Sequence, residues 1–277
     1  MSQVSADAVT QIRATRGWTR LGLRDLWEYR ELLYFLAWRE IKSRYRQMAL
    51  GPLWLVLVPL ANMLVFTFVM RVANIDTKGV PRPLFVLAGI LPWQFFAEAT
   101  RKSSTSLVNN LPVITKVYFP RLLVPLSTVV VGTVDFVVAF LLMIVLMLAY
   151  GVAPTVGILS LPAFLALAVA TALAVGLWLA AIAVKFRDVG YGITYLLLLW
   201  MFLSPVFYPS SLVGGRFYVL YRLNPLVHVI EGFRWGLFGV GHAPGSLAAI
   251  STGLVLFLLI TGAWVFRRTE RTIVDFV

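Results

Sequence analysis

Leu84-Phe-Val-Leu-Ala-Gly-Ile-Leu-Pro-Trp-Gln-Phe-Phe-Ala97 decides how this chain is threaded. A bilayer span needs about 20 mostly apolar residues. This run has 14, with Gly89, Pro92 and Gln94 inside it, so length alone reads it as a piece that enters a membrane and returns. Five other segments are long enough to cross: residues 50–70, 122–150, 158–184, 189–208 and 247–266. Charge separates the two threadings, because cytoplasmic loops carry the excess of Lys and Arg. Residues 1–49 hold nine, 71–83 three, 98–121 four, 151–157 none, 185–188 two, 209–246 three and the C-terminus three. If residues 84–97 cross, one side of the membrane carries 18 and the other 6; if they do not, each side carries 12. Only the first threading has a bias. The sequence therefore predicts an all-α membrane protein of six transmembrane helices, multi-pass, with both termini cytoplasmic. Its second span, 84–108, is apolar above and polar below.

Composition supports the membrane assignment. Of 277 residues 60% are hydrophobic and 13% charged, and the mean hydropathy is +0.86. A soluble domain has about 45–50% apolar and ~25% charged residues. With no cysteine, disulfides, thiol catalysis and thiolate metal sites are excluded. Two histidines, His228 and His242, speak against a histidine-built metal centre. A net charge of +12 suggests nucleic acid in a soluble protein. Here it reports loop orientation and contact with anionic membrane lipid, and no nucleic-acid partner is expected. No cleavable signal peptide is expected, because the first 49 residues contain no clean apolar region.

Residues 1–22 read as a flexible cytoplasmic tail and 23–49 as an amphipathic interfacial helix. Leu26, Tyr29, Leu33, Leu36, Ala37 and Ile41 share one side at helical spacing. Trp27 and Trp38 suit headgroup depth; the same helix also suits docking of a cytoplasmic partner. Gly51-Pro52 starts the first span. Residues 50–268 form the six-helix domain, and 269–277 a cytoplasmic C-terminus. Between spans two and three, Asn109-Asn110-Leu111-Pro112 signals a turn or helix start and Pro120-Arg121 an end. The stretch 113–119 reads either as a connecting loop or as a short helix on the membrane face. Residues 209–245 are too apolar for a solvated loop and too broken for a span. They predict two short helices separated by Asn224-Pro225, a re-entrant hairpin in the outer leaflet beside a cavity.

No phosphate-binding loop, dinucleotide fingerprint, zinc-protease motif or calcium loop occurs. No cofactor is expected in this chain, and energy must come from another subunit or an ion gradient. Asp135 is the one acid well inside a span: a proton relay or, better favoured, a structural partner across helices. Glu98 sits where the second helix turns polar. Glu231 and Arg234 stand three apart and can pair on one helix face, as a local brace or as a gate. Trp93, Phe95 and Phe96 cluster beside Pro92, where aromatic faces suit either packing or sugar rings.

Five stretches taken together resemble one family. They are Lys42-Ser-Arg-Tyr-Arg-Gln-Met-Ala-Leu-Gly-Pro-Leu-Trp54, Leu84 to Phe96, Lys116-Val-Tyr-Phe-Pro-Arg121, Phe186-Arg-Asp-Val189 leading to Trp200-Met-Phe-Leu-Ser-Pro-Val-Phe-Tyr-Pro209, and Leu223-Asn-Pro225 with Ile230-Glu-Gly-Phe-Arg-Trp235. In this order they are similar to the permease subunits of bacterial ABC-2 type polysaccharide exporters, the O-antigen and related group. The likeness covers residues 25–268. It implies a transporter permease rather than an enzyme, working as a homodimer with two copies of a separate ABC ATPase that bind ATP and Mg. The interfacial helix and a cytoplasmic coupling helix at about 109–119 would contact that ATPase, through Lys116, Val117, Tyr118, Phe119, Arg39 and Lys42.

The implied substrate is a lipid-linked polysaccharide on undecaprenyl diphosphate, moved across the bacterial inner membrane to the periplasm. A hydrated glycan chain wants aromatics and hydroxyls rather than dense charge. Trp93, Phe95 and Phe96 above Thr100, Ser103 and Ser104 are the expected channel lining. Tyr218, Tyr221, Asn224, Glu231 and Arg234 are the expected periplasmic exit. The same fold also suits export of teichoic acid, capsule or a smaller lipid or drug. A membrane-embedded glycosyl or lipid transferase is a different class, and would want an acidic or metal-binding cluster.

Overall fold

The computed structural model describes residues 23–46, 50–116, 119–186, 188–241 and 245–270, and these form helices and turns with no strand. In chain order the helices are α1 (Leu23–Glu28), α2 (Arg30–Tyr45), α3 (Trp54–Val72), α4 (Arg82–Asn109), α5 (Leu111–Ile114), α6 (Leu123–Ala149), α7 (Leu161–Ala183), α8 (Val189–Phe202), α9 (Tyr218–Leu223), α10 (Pro225–Phe238) and α11 (Ser246–Glu270). A lone apolar segment in lipid must bond its own backbone, which a helix does. Among the described residues five helices are long and apolar enough to cross a bilayer: Gly51–Val72, Arg82–Asn109, Leu123–Ala149, Val156–Ala183 and Ser246–Glu270.

The doubtful run 84–97 is the upper half of α4, one helix of 28 residues, about 42 Å long at ~1.5 Å per residue. Pro81 and Pro83 bracket its start, and it continues through Pro92. A proline inside a helix removes one hydrogen bond; here it lies in a fully packed setting. The short member is instead α8. It has 14 residues, about 21 Å, because the chain leaves the helix before Pro205, where the preceding residue disfavours helical backbone. The 189–208 segment is thus a helix followed by turns.

α4 is the hub. In its apolar window 78% of residues are buried, against 17% in that of α3. It packs between α6 and α7, and small residues let the helices close up: Gly132 of α6 meets Phe95 and Ala99, and Gly176 of α7 meets Ser103. On the far side of α7, Gly262 of α11 admits Trp178, whose Nε1 donates to the Leu258 carbonyl at 3.2 Å.

One end of the bundle gathers Leu36 of α2, Leu107 at the end of α4, Ile114, Phe119, Leu122 and Leu123 before and in α6, Leu177 and Ala180 late in α7, and Phe266 late in α11. At the other end the start of α7 meets α10: the Thr155 amide donates to the Leu237 carbonyl at 3.1 Å, and Gly157 lies against Gly236. The chain therefore leaves α7 at the first end and enters α11 from the second.

The two short helices expected on either side of Asn224-Pro225 are α9 and α10. Asn224 caps α10 by accepting from the Leu226 amide at 3.1 Å, and Gly239 ends it at φ +70. Leu226, Val227, Val229, Ile230, Phe233 and Leu237 are buried, so α10 is packed inside the protein.

Three expectations need correction. The single N-terminal helix is broken at Tyr29 into α1 and α2. Of the expected apolar stripe, Leu36 and Ala37 are buried but Tyr29 is exposed, and Trp27, Tyr34, Phe35 and Trp38 form an exposed aromatic face. The cause is the interleaving of aromatics with charges along the outer side. The short helix at 109–119 is reduced to the four residues of α5. Val117, Tyr118, His242, and residues 1–22 and 271–277 lie outside the described residues.

Candidate functional site

α4 presents Leu91, Trp93, Gln94, Phe95, Ala97, Glu98 and Arg101 to a cleft of about 460 Å³. Trp54, Leu55, Val58 and Pro59 from α3 form one wall, Gly132, Asp135, Phe136 and Ala139 from α6 another, and Thr194 and Leu197 of α8 the third. Arg44 of α2 enters from below. The walls are apolar and aromatic; the charges collect at one end.

Those charges form a chain of alternating sign across three helices. Asp135 is paired with Arg44. Arg44 reaches Glu40 at 3.0 Å, Glu40 reaches Lys102 at 3.4 Å, Lys102 reaches Glu98 at 3.2 Å, and Glu98 reaches Arg101 at 2.8 Å. The sequence posed Asp135 as a relay or a structural partner, and the geometry supplies the partner. Such a site offers rings to stack on and a wet, charged end for polar groups. Among the described residues no cluster of three His, Asp or Glu is placed to hold a metal ion.

The expected channel residues divide. Trp93 and Phe95 line the cleft. Phe96 lies behind, fully buried, edge-on to Trp200 at 5.1 Å and tilted on Trp93 at 5.5 Å. Thr100, Ser103 and Ser104 are fully buried and do not line the cleft. Ser103 turns to Gly176 in the seam with α7, and Ser104 donates to the Arg101 carbonyl at 2.8 Å. The helical repeat separates Phe95, on the face of positions 91, 94, 98 and 101, from Phe96, Thr100 and Ser103, on the face of 107.

The exit residues act as fasteners. Glu231 of α10 pairs with Arg222 of α9 at 3.0 Å, a partner that spacing within one helix did not suggest. Arg234 donates to the carbonyls of Phe85, Tyr208 and Val206 at 3.3, 3.1 and 2.8 Å, and its guanidinium lies 3.8 Å over the Phe85 ring. Gly89 makes room, since a Cβ there would lie 2.1 Å from the Val206 carbonyl oxygen and 2.8 Å from Arg234. Asn224 accepts from Trp200 Nε1 at 3.1 Å and donates to the Leu203 carbonyl and the Ser204 hydroxyl. Tyr218 sits under the Arg222 guanidinium at 5.7 Å, and Tyr221 is half-buried. His228 Nε2 contacts the Arg222 carbonyl at 2.6 Å. Burial holds its imidazole below the ordinary histidine pKa, against the pull of that carbonyl.

At the opposite end Arg39 donates to Asn110 Oδ1 at 2.8 Å, Lys42 and Lys116 are exposed, and Phe119 is buried in the cluster with Leu36. Sequence reasoning missed Arg44 and Arg222 altogether. Arg222 carries no local signal, because its partner is on another helix; Arg44 carries only its four-residue spacing from Glu40, which does not point to Asp135.

The model of the ABC-2 type transporter family matches residues 31–238. The chain is 35% identical over 259 residues to the O-antigen export system permease protein RfbA of Myxococcus xanthus, covering 90% of this chain and 96% of that one. It is 25% identical to the RfbA permease of Klebsiella pneumoniae over 242 residues, 87% of this chain and 92% of the relative. It is 24% identical to the polysialic acid transport protein KpsM of Escherichia coli, over 80% of this chain and 86% of that protein.

Proposed function

The chain belongs to the ABC-2 type transporter family, and on that premise we propose that it is the membrane-spanning subunit of an ATP-driven polysaccharide exporter. The observation that carries the reading is the cleft, where Trp93 and Phe95 stand beside a charged end on the central helix. Sugar rings pack their C–H faces on such aromatics, while hydroxyls bond to Gln94, Glu98 and Arg101. The O-antigen and polysialic acid transport of the relatives favours a glycan cargo. The cargo is lipid-linked, as the resemblance implies, on undecaprenyl diphosphate.

Six crossings fit best. The charge bias asks for them, and the passage of the chain from the end of α7 to the start of α11 leaves α8 and the turns after it to make the fifth. Both termini then face the cytoplasm, in the inner membrane. Two copies of the chain join two copies of an ATPase that binds ATP and Mg. The ATPase pushes on the end that holds Arg39, Lys42, Lys116 and Phe119, with Val117 and Tyr118 following Lys116 in the sequence. Leu36, Leu107, Ile114, Phe119 and Phe266 share one apolar cluster there, so force on α2 or α5 reaches α4 directly. At the far end α9 and α10 form the exit.

Trp93→Ala and Phe95→Ala test the reading. Each is expected to lower surface polysaccharide at least several-fold, while the chain reaches the membrane and still brings down an ATP-hydrolysing subunit. Normal surface polysaccharide in both variants overturns the proposed path.

A further inference from the structure

The charged end of the cleft joins a helix from outside the bundle to one inside it. Asp135 lies about 18 Å along α6 from its first residue. A charge at that depth is costly unless partnered, and Arg44 near the end of α2 supplies the partner. This pair is the least exposed link of the charge chain: the side chains are 19% and 16% exposed, against 48% and 42% for Arg101 and Glu98. It is accordingly the link that water and salt weaken least. Glu40, one turn back, ties α2 to Lys102 of α4. α2 is thus held by charge to two walls of the cleft.

Apart from the hydrogen bond from Arg39 to Asn110, the other contacts of α2 are of a different kind. Leu36 and Ala37 rest on the bundle through apolar surface, which can slide without leaving a charge unpaired. The outer face, with Trp27, Tyr34, Phe35 and Trp38, is exposed. We infer that the Arg44–Asp135 pair is a latch: it holds α2 across the mouth of the cleft, and displacing α2 breaks the pair and opens the cleft from the cytoplasmic side. Asp135, Glu98 and Arg101 then line an open, hydrated mouth. The latch holds whatever the cleft admits, so it stands apart from the assignment of a glycan cargo.

The chain has no cysteine, so Gln94→Cys places a single thiol in the cleft, beyond the latch. Inverted membrane vesicles are treated with a membrane-impermeant maleimide and the labelling rate is read. The Gln94→Cys chain is expected to label slowly. Adding Arg44→Gln or Asp135→Asn is expected to raise the rate several-fold, and Arg44→Lys to leave it slow. Asn110→Ala, which removes the Arg39 contact outside the cleft, is expected to leave it slow as well. Unchanged rates in both neutral variants, or an equal rise with Asn110→Ala, overturn the latch.

Discussion

Glu231 of α10 meets Arg222 of α9 at 3.0 Å, with side-chain exposures of 5% and 7%. The two short helices of the hairpin are therefore joined by a buried ion pair across the Asn224 break. Removing one partner of such a pair leaves an uncompensated buried charge and costs about 3–5 kcal/mol, whereas replacing both by apolar groups is often neutral. Glu231→Gln is expected to lower the yield of folded, monodisperse protein in detergent and its thermal midpoint. Arg222→Met combined with Glu231→Leu is expected to recover most of the loss. A double variant no better than the single one contradicts this account of the hairpin.

Gly176 marks where α7 closes on α4. A Cβ at that position would lie 2.5 Å from the Ser103 hydroxyl oxygen and 2.6 Å from its Cβ. Overpacking of this kind costs about 1–3 kcal/mol. Gly176→Ala is expected to lower the thermal midpoint, and adding Ser103→Gly to restore part of it. Additive losses in the double variant would show that the two sites do not share one contact.

Arg234 gives its donors to three carbonyls on two segments, those of Phe85, Val206 and Tyr208. A lysine is a point charge without that planar fork. Arg234→Lys is expected to loosen the turns after α8 and speed proteolysis near Val206, with α4 intact. Protease resistance equal to the unaltered chain contradicts the fastening role.

Much of the architecture was legible in the residues. Loop charge alone argued that residues 84–97 cross, and α4 is long enough to do so. The Asn224-Pro225 break marked the boundary between the two short helices α9 and α10. What the residues did not show was orientation. α4 is buried nearly all round, so apolar residues occupy every face and periodicity cannot choose one. Hence Trp93 and Phe95 were placed in the same path as Thr100, Ser103 and Ser104, which lie in the seam with α7. Ion pairs such as Arg44 with Asp135 or Arg222 with Glu231 join residues on different helices, and no spacing rule finds them. The shortness of α8 followed from Pro205, a signal that was present and outweighed by a run of apolar residues.

The threading itself makes a prediction. In this cysteine-free chain, Thr115→Cys beside Lys116 is expected to react with an impermeant maleimide in inverted vesicles and not in spheroplasts. Leu212→Cys, exposed in the connection between α8 and α9, is expected to do the reverse. Reaction of Thr115→Cys from outside contradicts a cytoplasmic coupling end.

The most direct measurement removes the chain from its native strain and quantifies polysaccharide on the surface and inside the cell. Export by this chain predicts that surface polysaccharide disappears while the same glycan accumulates inside, and that re-expression reverses both. Undiminished surface polysaccharide, or its loss with no internal accumulation, contradicts the account; the second result would point to a role in synthesis.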